Sequence, residues 1–210
     1  MTTVQVAPGR RLTKRQQTRT AIVDAVLHFG STRGLDATTV REIADEAGIG
    51  ARTFFRFFSS KEEAVIALDE DFFTAILEAL DEQAEGLSLS EFFLGAFEAA
   101  AAQFDQAWWT RFAGASRLAA ASPTVSGIAL NLCGVTAARC ADALRPSFST
   151  IAQHEFDLAL DGVLNAWRRA REAWLESENL DPAAFHALVR RNLRFLETTP
   201  LLKARATASS

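Results

Sequence analysis

The side chains best equipped for chemistry gather in one stretch, TTVREIADEAGIGARTFFRFFSSK, from Thr38 to Lys61. It carries Arg41, Arg52, Arg56 and Lys61, with hydroxyls at Thr38, Thr39 and Thr53. Guanidinium and ammonium groups donate hydrogen bonds and never accept them. Placed on one surface, they suit an anionic polymer better than a proton-transfer reaction. For Arg52 and Arg56 the plainer alternative is a solvated surface pair.

The elements that would position them are helices. Val40, Ile43, Ala44 and Ala47 form an i, i+3, i+4, i+7 stripe. Thr39 with Glu42 is a capping box that starts this helix, and Gly48 can take the left-handed conformation that ends it. Gly50 or Ala51 opens a second helix, in which Phe54, Phe57 and Phe58 read as core. Ser60 with Glu63 is a further capping box, starting a third helix at Lys61. Helix, glycine turn, helix is the helix-turn-helix pattern, whose second helix can enter a DNA major groove.

Charge distribution supports this. The 210-residue chain has formal net charge −4. From Arg10 to Lys61, ten Lys/Arg stand against five Asp/Glu, a balance of +5 that leaves −9 for the rest. A basic end on an acidic body fits DNA binding confined to that end.

The rest of the chain predicts more helices and no alternating strand pattern. Residues 1–12 read as a basic arm, with Arg10 and Arg11 able to track a DNA backbone. Thr13 with Gln16 caps a first helix whose stripe is Ile22, Val26 and Phe29. From Lys61 a long helix, with Val65, Leu68, Phe72, Ile76 and Leu80 on one face, runs to about Glu85. It would link the head to the body. Ser88 with Glu91, Ser122 with Pro123, and Asp181 with Pro182 mark later helix starts. The expected fold is all-α: a three-helix head (13–60), a six-helix body (61–200) and a tail (201–210).

Other chemistry is thin. His28, His154 and His186 are scattered, and a Glu-x-x-His pair of the di-iron type is absent from the sequence. His154, Asp157 and Asp161 share a helical face and form the nearest approach to a metal set. Neither a phosphate-binding glycine loop after a strand nor a G-x-S-x-G elbow occurs. Cys133 and Cys140 would lie roughly 10.5 Å apart on one helix, too far for a disulfide. No metal, cofactor or catalytic residue is expected. The N-terminus lacks an apolar signal region, no run is expected to reach the length of a membrane span, and a cytoplasmic protein is expected.

The aromatic group Phe93, Phe97, Phe104, Trp108, Trp109 and Phe112 could line an effector pocket, with Asn165 as a polar contact. Ordinary core has the same helical spacing and is the alternative.

The segment TTVREIADEAGIGARTFFRFFSSKEEAV (Thr38 to Val65), extended back through TRTAIVDAVLHFGSTRGLDATTV, resembles the N-terminal domain of the TetR family of transcriptional regulators. The resemblance covers about the first third of the chain. It implies an all-helical homodimer joined through the last two helices and bound to an inverted-repeat operator. It also implies a small-molecule effector in the C-terminal domain, commonly one that releases the DNA. By the same resemblance Thr38 or Thr39 meets phosphate at the start of the second helix, with Arg41 as a further candidate. Ala51, Arg52 and Thr53 lead the recognition helix and face base edges, and Lys61 touches phosphate. Arg56 points to the backbone or to an acid.

Three positions depart from the family pattern. Phe55 stands where a tyrosine hydroxyl usually meets the backbone. Arg52 replaces a common glycine and suits guanine O6 and N7. Gly50 replaces a common serine or threonine cap. The expected protein is a repressor with a largely apolar effector. Its alternatives are an effector-independent or partner-regulated DNA-binding module, which predicts a filled aromatic core, and a helical-bundle enzyme.

Overall fold

The computed structural model describes residues 13–80, 86–177 and 180–198. They form helices α1 (Lys14–Arg33), α2 (Val40–Glu46), α3 (Ala51–Phe57), α4 (Lys61–Leu80), α5 (Leu89–Ala101), α6 (Gln106–Ala121), α7 (Pro123–Leu144), α8 (Gln153–Glu176) and α9 (Pro182–Thr198). A 3₁₀ turn, Arg145–Phe148, separates α7 from α8. Among the described residues there is no strand, and the fold is all-α as expected. The arm at 1–12, the tail at 201–210 and the stretch of the linking helix beyond Leu80 lie outside the described residues.

Local chemistry sets the helix ends. Thr13–Gln16, Thr39–Glu42 and Ser88–Glu91 form complete capping boxes. Each glutamate of the last two pairs has its carboxyl lowered from the ordinary value, chiefly by hydrogen bonds from its cap residue. The Ser60–Glu63 box is only half formed. The Glu63 backbone N–H donates to Ser60 Oγ, but the Glu63 carboxylate accepts from the Ser59 N–H instead. Gly34, Gly48 and Gly86 take positive φ at 86°, 67° and 84°. Gly48 thereby makes the tight turn between α2 and α3.

The buried side chains form one continuous core, from Ile22 in the head to Leu193 in α9. Head and body therefore share their packing. Helix α4 is central, running from the head into contact with α5, α6 and α7. A second junction joins α1 to α6. A Cβ added to Gly30 would lie 2.6 Å from Leu118 Cδ1, so the two helices approach where glycine permits it. Arg111 Nε also donates to Asp24 Oδ1 at 2.6 Å across this junction.

Helix α7 corrects one expectation. The segment Pro123–Phe148 is long and apolar enough, by length and composition, to cross a membrane, with 17% of its most apolar window buried. Its small residues (Gly127, Ala129, Gly134, Ala137 and Ala138) carry no charge, so mean hydropathy stays high without large side chains. Leu130 and Val135 on this helix are exposed.

Candidate nucleic-acid interface

The first link is the packing of α3. Phe54 is fully buried and Phe58 nearly so, which fixes one side of the helix against the head. The opposite side then presents Ala51, Arg52, Phe55 and Arg56, all exposed. These four share a face by helical geometry, being related by steps of three and four residues. Among the described residues, Arg52 and Arg41 have no ion-pair partner. The Arg56 guanidinium lies 5.7 Å from the Phe57 ring centroid. Thr53 is half-buried. Such a surface offers cations, one apolar ring and no acid in the first helical turn.

Gly50 is the N-cap of α3 and supplies no side-chain bond. Its carbonyl accepts from the Thr53 and Phe54 N–H groups. Thr39, the cap of α2, is exposed, with its Oγ1 already bonded to Glu42. Glu42 also pairs with Arg33 at 2.9 Å, joining α1 to α2.

Two expected phosphate contacts are placed differently. Thr38 is 2% exposed, and its Oγ1 donates to the Gly34 carbonyl. Its hydroxyl belongs to the α1–α2 turn and does not reach the surface. Lys61 Nζ donates to the carbonyls of Leu35 (2.7 Å) and Thr38 (2.9 Å). Two of its three donors therefore close that turn onto the start of α4. The physical reason is that the turn's carbonyls have no helical partner, and an ammonium is the strongest nearby donor.

The expected effector residues divide into two groups. Trp108 stacks on Phe104 at 3.9 Å and on Phe112 at 5.1 Å, while Phe72 contacts Phe97, Phe104 and all three α6 aromatics. This group is filled by its own rings. Phe93 and Phe97 instead border an apolar void of about 20 Å³ shared with Phe73, Thr136 and Trp167. Asn165 is exposed on α8, bonded through Nδ2 to the Asp161 carbonyl.

A buried ion pair escaped the sequence reading. Asp69 of α4 is 3% exposed and accepts from Arg171 Nη1 of α8 at 2.5 Å. Burial pushes the Asp69 carboxyl up, and Arg171 opposes that shift. Nearby on α4, Asp71 accepts from Arg19 of α1 at 2.6 Å, and Arg19 also donates to the Ala67 carbonyl. Opposite sides of one turn of α4 are thus pinned to the head and to the body. The signal was available: Asp69 lies on the apolar face defined by Val65, Phe72 and Ile76.

Comparison with known proteins bears on the head first. Residues 22–68 match the family described as bacterial regulatory proteins, tetR family. The head belongs to this family. Over 96 residues the chain is 36% identical to the HTH-type transcriptional regulator TcmR of Streptomyces glaucescens, covering 44% of this chain and 41% of TcmR. Over 85 residues it is 39% identical to the HTH-type transcriptional repressor KstR2 of Mycolicibacterium smegmatis, covering 36% of this chain and 42% of KstR2. The matches thus span about two fifths of the length of these relatives. In three dimensions the chain is similar to a transcriptional regulator of the TerR/AcrR family from Aquifex aeolicus, with TM-score 0.56 and 16% identity. That similarity covers 85% of this chain and 99% of the other, and extends the likeness of fold into the body. In this tetR-type head, α2 and α3 are the helix-turn-helix pair and α4 leaves it for the body.

Proposed function

We propose that this chain is a homodimeric, sequence-specific transcriptional regulator that acts as a repressor. One observation carries the reading: Ala51, Arg52, Phe55 and Arg56 stand together on the exposed face of α3, inside the segment that matches the tetR family. In the major groove, Arg52 would read guanine O6 and N7, and Phe55 would meet a thymine methyl. Arg41, Arg56 and the α2 N-terminus at Thr39 would hold phosphates.

Dimerisation is supported by an apolar surface on the last two helices. Leu158 of α8 and Phe195 and Leu196 of α9 are each at least half exposed. A Cβ at Gly162 would sit 3.6 Å from Leu196, so these two helices meet closely beside that patch. Two heads related by a twofold axis would require an inverted-repeat operator.

For regulation, the filled rings of α6 favour an effector-independent module over a pocket among Phe104, Trp108 and Phe112. A largely apolar effector between α4 and the outer helices would have to widen the void beside Phe93 and Phe97, which at about 20 Å³ is about the size of one water. Such an effector would act by its differential affinity for the head spacings. Selection from a random duplex pool tests the reading. Enrichment of an inverted repeat, bound by two protomers, is expected. A single half-site bound by a monomer, or no enrichment, would defeat it.

A further inference from the structure

Three contacts join α1 to α6, and they come in the same order along both helices. Arg111 donates to the Asp24 carboxylate through Nε at 2.6 Å and Nη2 at 3.3 Å. About one turn further on, Leu27 Cδ1 would lie 3.9 Å from a Cβ at Gly114. About one turn beyond that, a Cβ at Gly30 would lie 2.6 Å from Leu118 Cδ1 and 3.1 Å from its Cδ2. Each helix therefore sets a leucine into the gap left by a glycine of the other. Leu27 and Leu118 are both partly buried against the core. Along α1 the row spans six residues, roughly 9 Å. One contact would be a pivot. A row of this length resists rotation as well as separation, because close-packed side chains give little.

Helix α1 is held from a second side by Arg19, which donates to Asp71 and to the Ala67 carbonyl of α4. Arg19 and Asp24 stand roughly 140° apart round α1 at 3.6 residues per turn. The angle of the head is thus fixed by α6 as well as by α4. The Asp24–Arg111 pair is partly exposed, and such pairs are weak on their own. The two leucine–glycine contacts carry the angle, and the ion pair sets which turn of α6 meets which turn of α1.

We propose that Leu27, Gly30, Gly114 and Leu118 are positioning residues that set the half-site spacing of the operator without touching DNA. By locking the head's angle to the body, the seam fixes how far apart the two recognition helices of a dimer stand. The proposal rests on the homodimeric regulator reading. Half-sites one helical turn apart lie about 34–36 Å centre to centre, and each added base pair moves one by about 3.4 Å and turns it by about a tenth of a turn. A locked head accepts one spacer length. A head free to swing on α4 accepts several.

The test uses the full chain and inverted repeats of the selected half-site, with the spacer varied one base pair at a time. Wild type should prefer one spacer roughly tenfold or more over its neighbours, the cost of a misplaced half-site. Gly30→Val, which wedges Leu118 away from α1, should cut that preference to about threefold or less, or move the optimum by a base pair. Gly30→Val with Leu118→Ala moves the bulk from α6 to α1 and should restore it. Leu118→Ala alone leaves the gap unfilled and should also flatten the preference; it serves where Gly30→Val fails to fold. A folded variant that loses affinity for every spacer alike, or keeps the wild-type preference, would overturn the proposal. So would wild type that binds all spacers equally, which leaves the regulator standing. Head angle is also read without DNA, by double electron–electron resonance between spin labels at Asp45→Cys and Ala143→Cys. The labelled chain carries Cys133→Ala and Cys140→Ala and is diluted with unlabelled protein. Wild type should give one narrow distance distribution, and Gly30→Val a shifted or broader one. Identical distributions would overturn the seam. That change in distance without binding to any duplex would keep the seam as a head-to-body lock and remove the regulator reading, its spacing role included.

Discussion

Lys61 shows how much one side chain can decide. Its ammonium closes the turn at Leu35 and Thr38 and carries α4's first turn with it. Lys61→Ala leaves two carbonyls without their charged donor, at a cost of about 1.5–3 kcal/mol. Urea denaturation should show that loss. The salt dependence of DNA binding should keep its slope, because two of the three ammonium donors are already held by the turn. A flattened slope with unchanged stability would return Lys61 to the DNA surface. Phe55 is the converse case. It is 56% exposed and packs edge-on against Phe54 at 5.5 Å. Phe55→Ala should shift folding stability by no more than about 0.5 kcal/mol, as exposed sites do. Its effect should fall on DNA, as a lost preference for thymine at one operator position in a selected pool. Retained thymine preference would exclude the ring from readout.

Helix α4 is where local chemistry becomes mechanics. Arg19–Asp71 pins it to α1, and Arg171–Asp69 pins it to α8. Removing one member of a buried pair strands the other. Arg171→Met should therefore cost about 3–5 kcal/mol, whereas Arg171→Met with Asp69→Leu should recover most of that. A double-mutant cycle in urea checks this, and additive losses would show that the two residues do not act as a pair. Helix α2 depends on a cap instead. Glu42 has its folded pKa lowered, first by the Thr39 side-chain bond, then by the Thr39 backbone bond. A lowered carboxylate pKa gives stability above the unfolded value that is lost as pH falls through the folded one. The capping contribution should fade below about pH 4. Glu42→Gln keeps an acceptor without titrating. Melting followed from pH 6 to 3 should therefore fall less steeply for this variant than for wild type. Parallel curves would take Glu42 out of the acid response.

Across the molecule, what could be read in the sequence was whatever is local. Caps at Thr13, Thr39, Ser88 and Ser122, the glycine turn at Gly48 and the stripe beginning at Val40 each involve residues within a turn or two. They located the helices and the helix-turn-helix pair. Contacts between distant segments were not legible. Asp24 meets Arg111 across 87 residues, and nothing at Gly30 announces Leu118. The head therefore looked joined to the body through α4 alone, although α6 also holds it. The aromatics of α5 and α6 have the same period whether they enclose a ligand or one another, so spacing could not separate Trp108 in its ring stack from Phe93 beside the void. Thr38 (or Thr39) and Lys61 were expected on DNA by resemblance; Thr38 Oγ1 and Lys61 Nζ both bond to carbonyls of the α1–α2 turn, a contact that spacing could not show. Arg52, Phe55 and Arg56 did come to one exposed face, because buried Phe54 leaves α3 no other way to lie.

That face is the central claim, and base preference tests it most directly. Wild type and Arg52→Ala should be put through selection from one random duplex pool at one salt concentration. Wild type should enrich an inverted repeat with a guanine in each half-site. Arg52→Ala should bind with that guanine preference relaxed by about 1–3 kcal/mol, roughly tenfold or more. Identical motifs from the two proteins, guanine included, would contradict it.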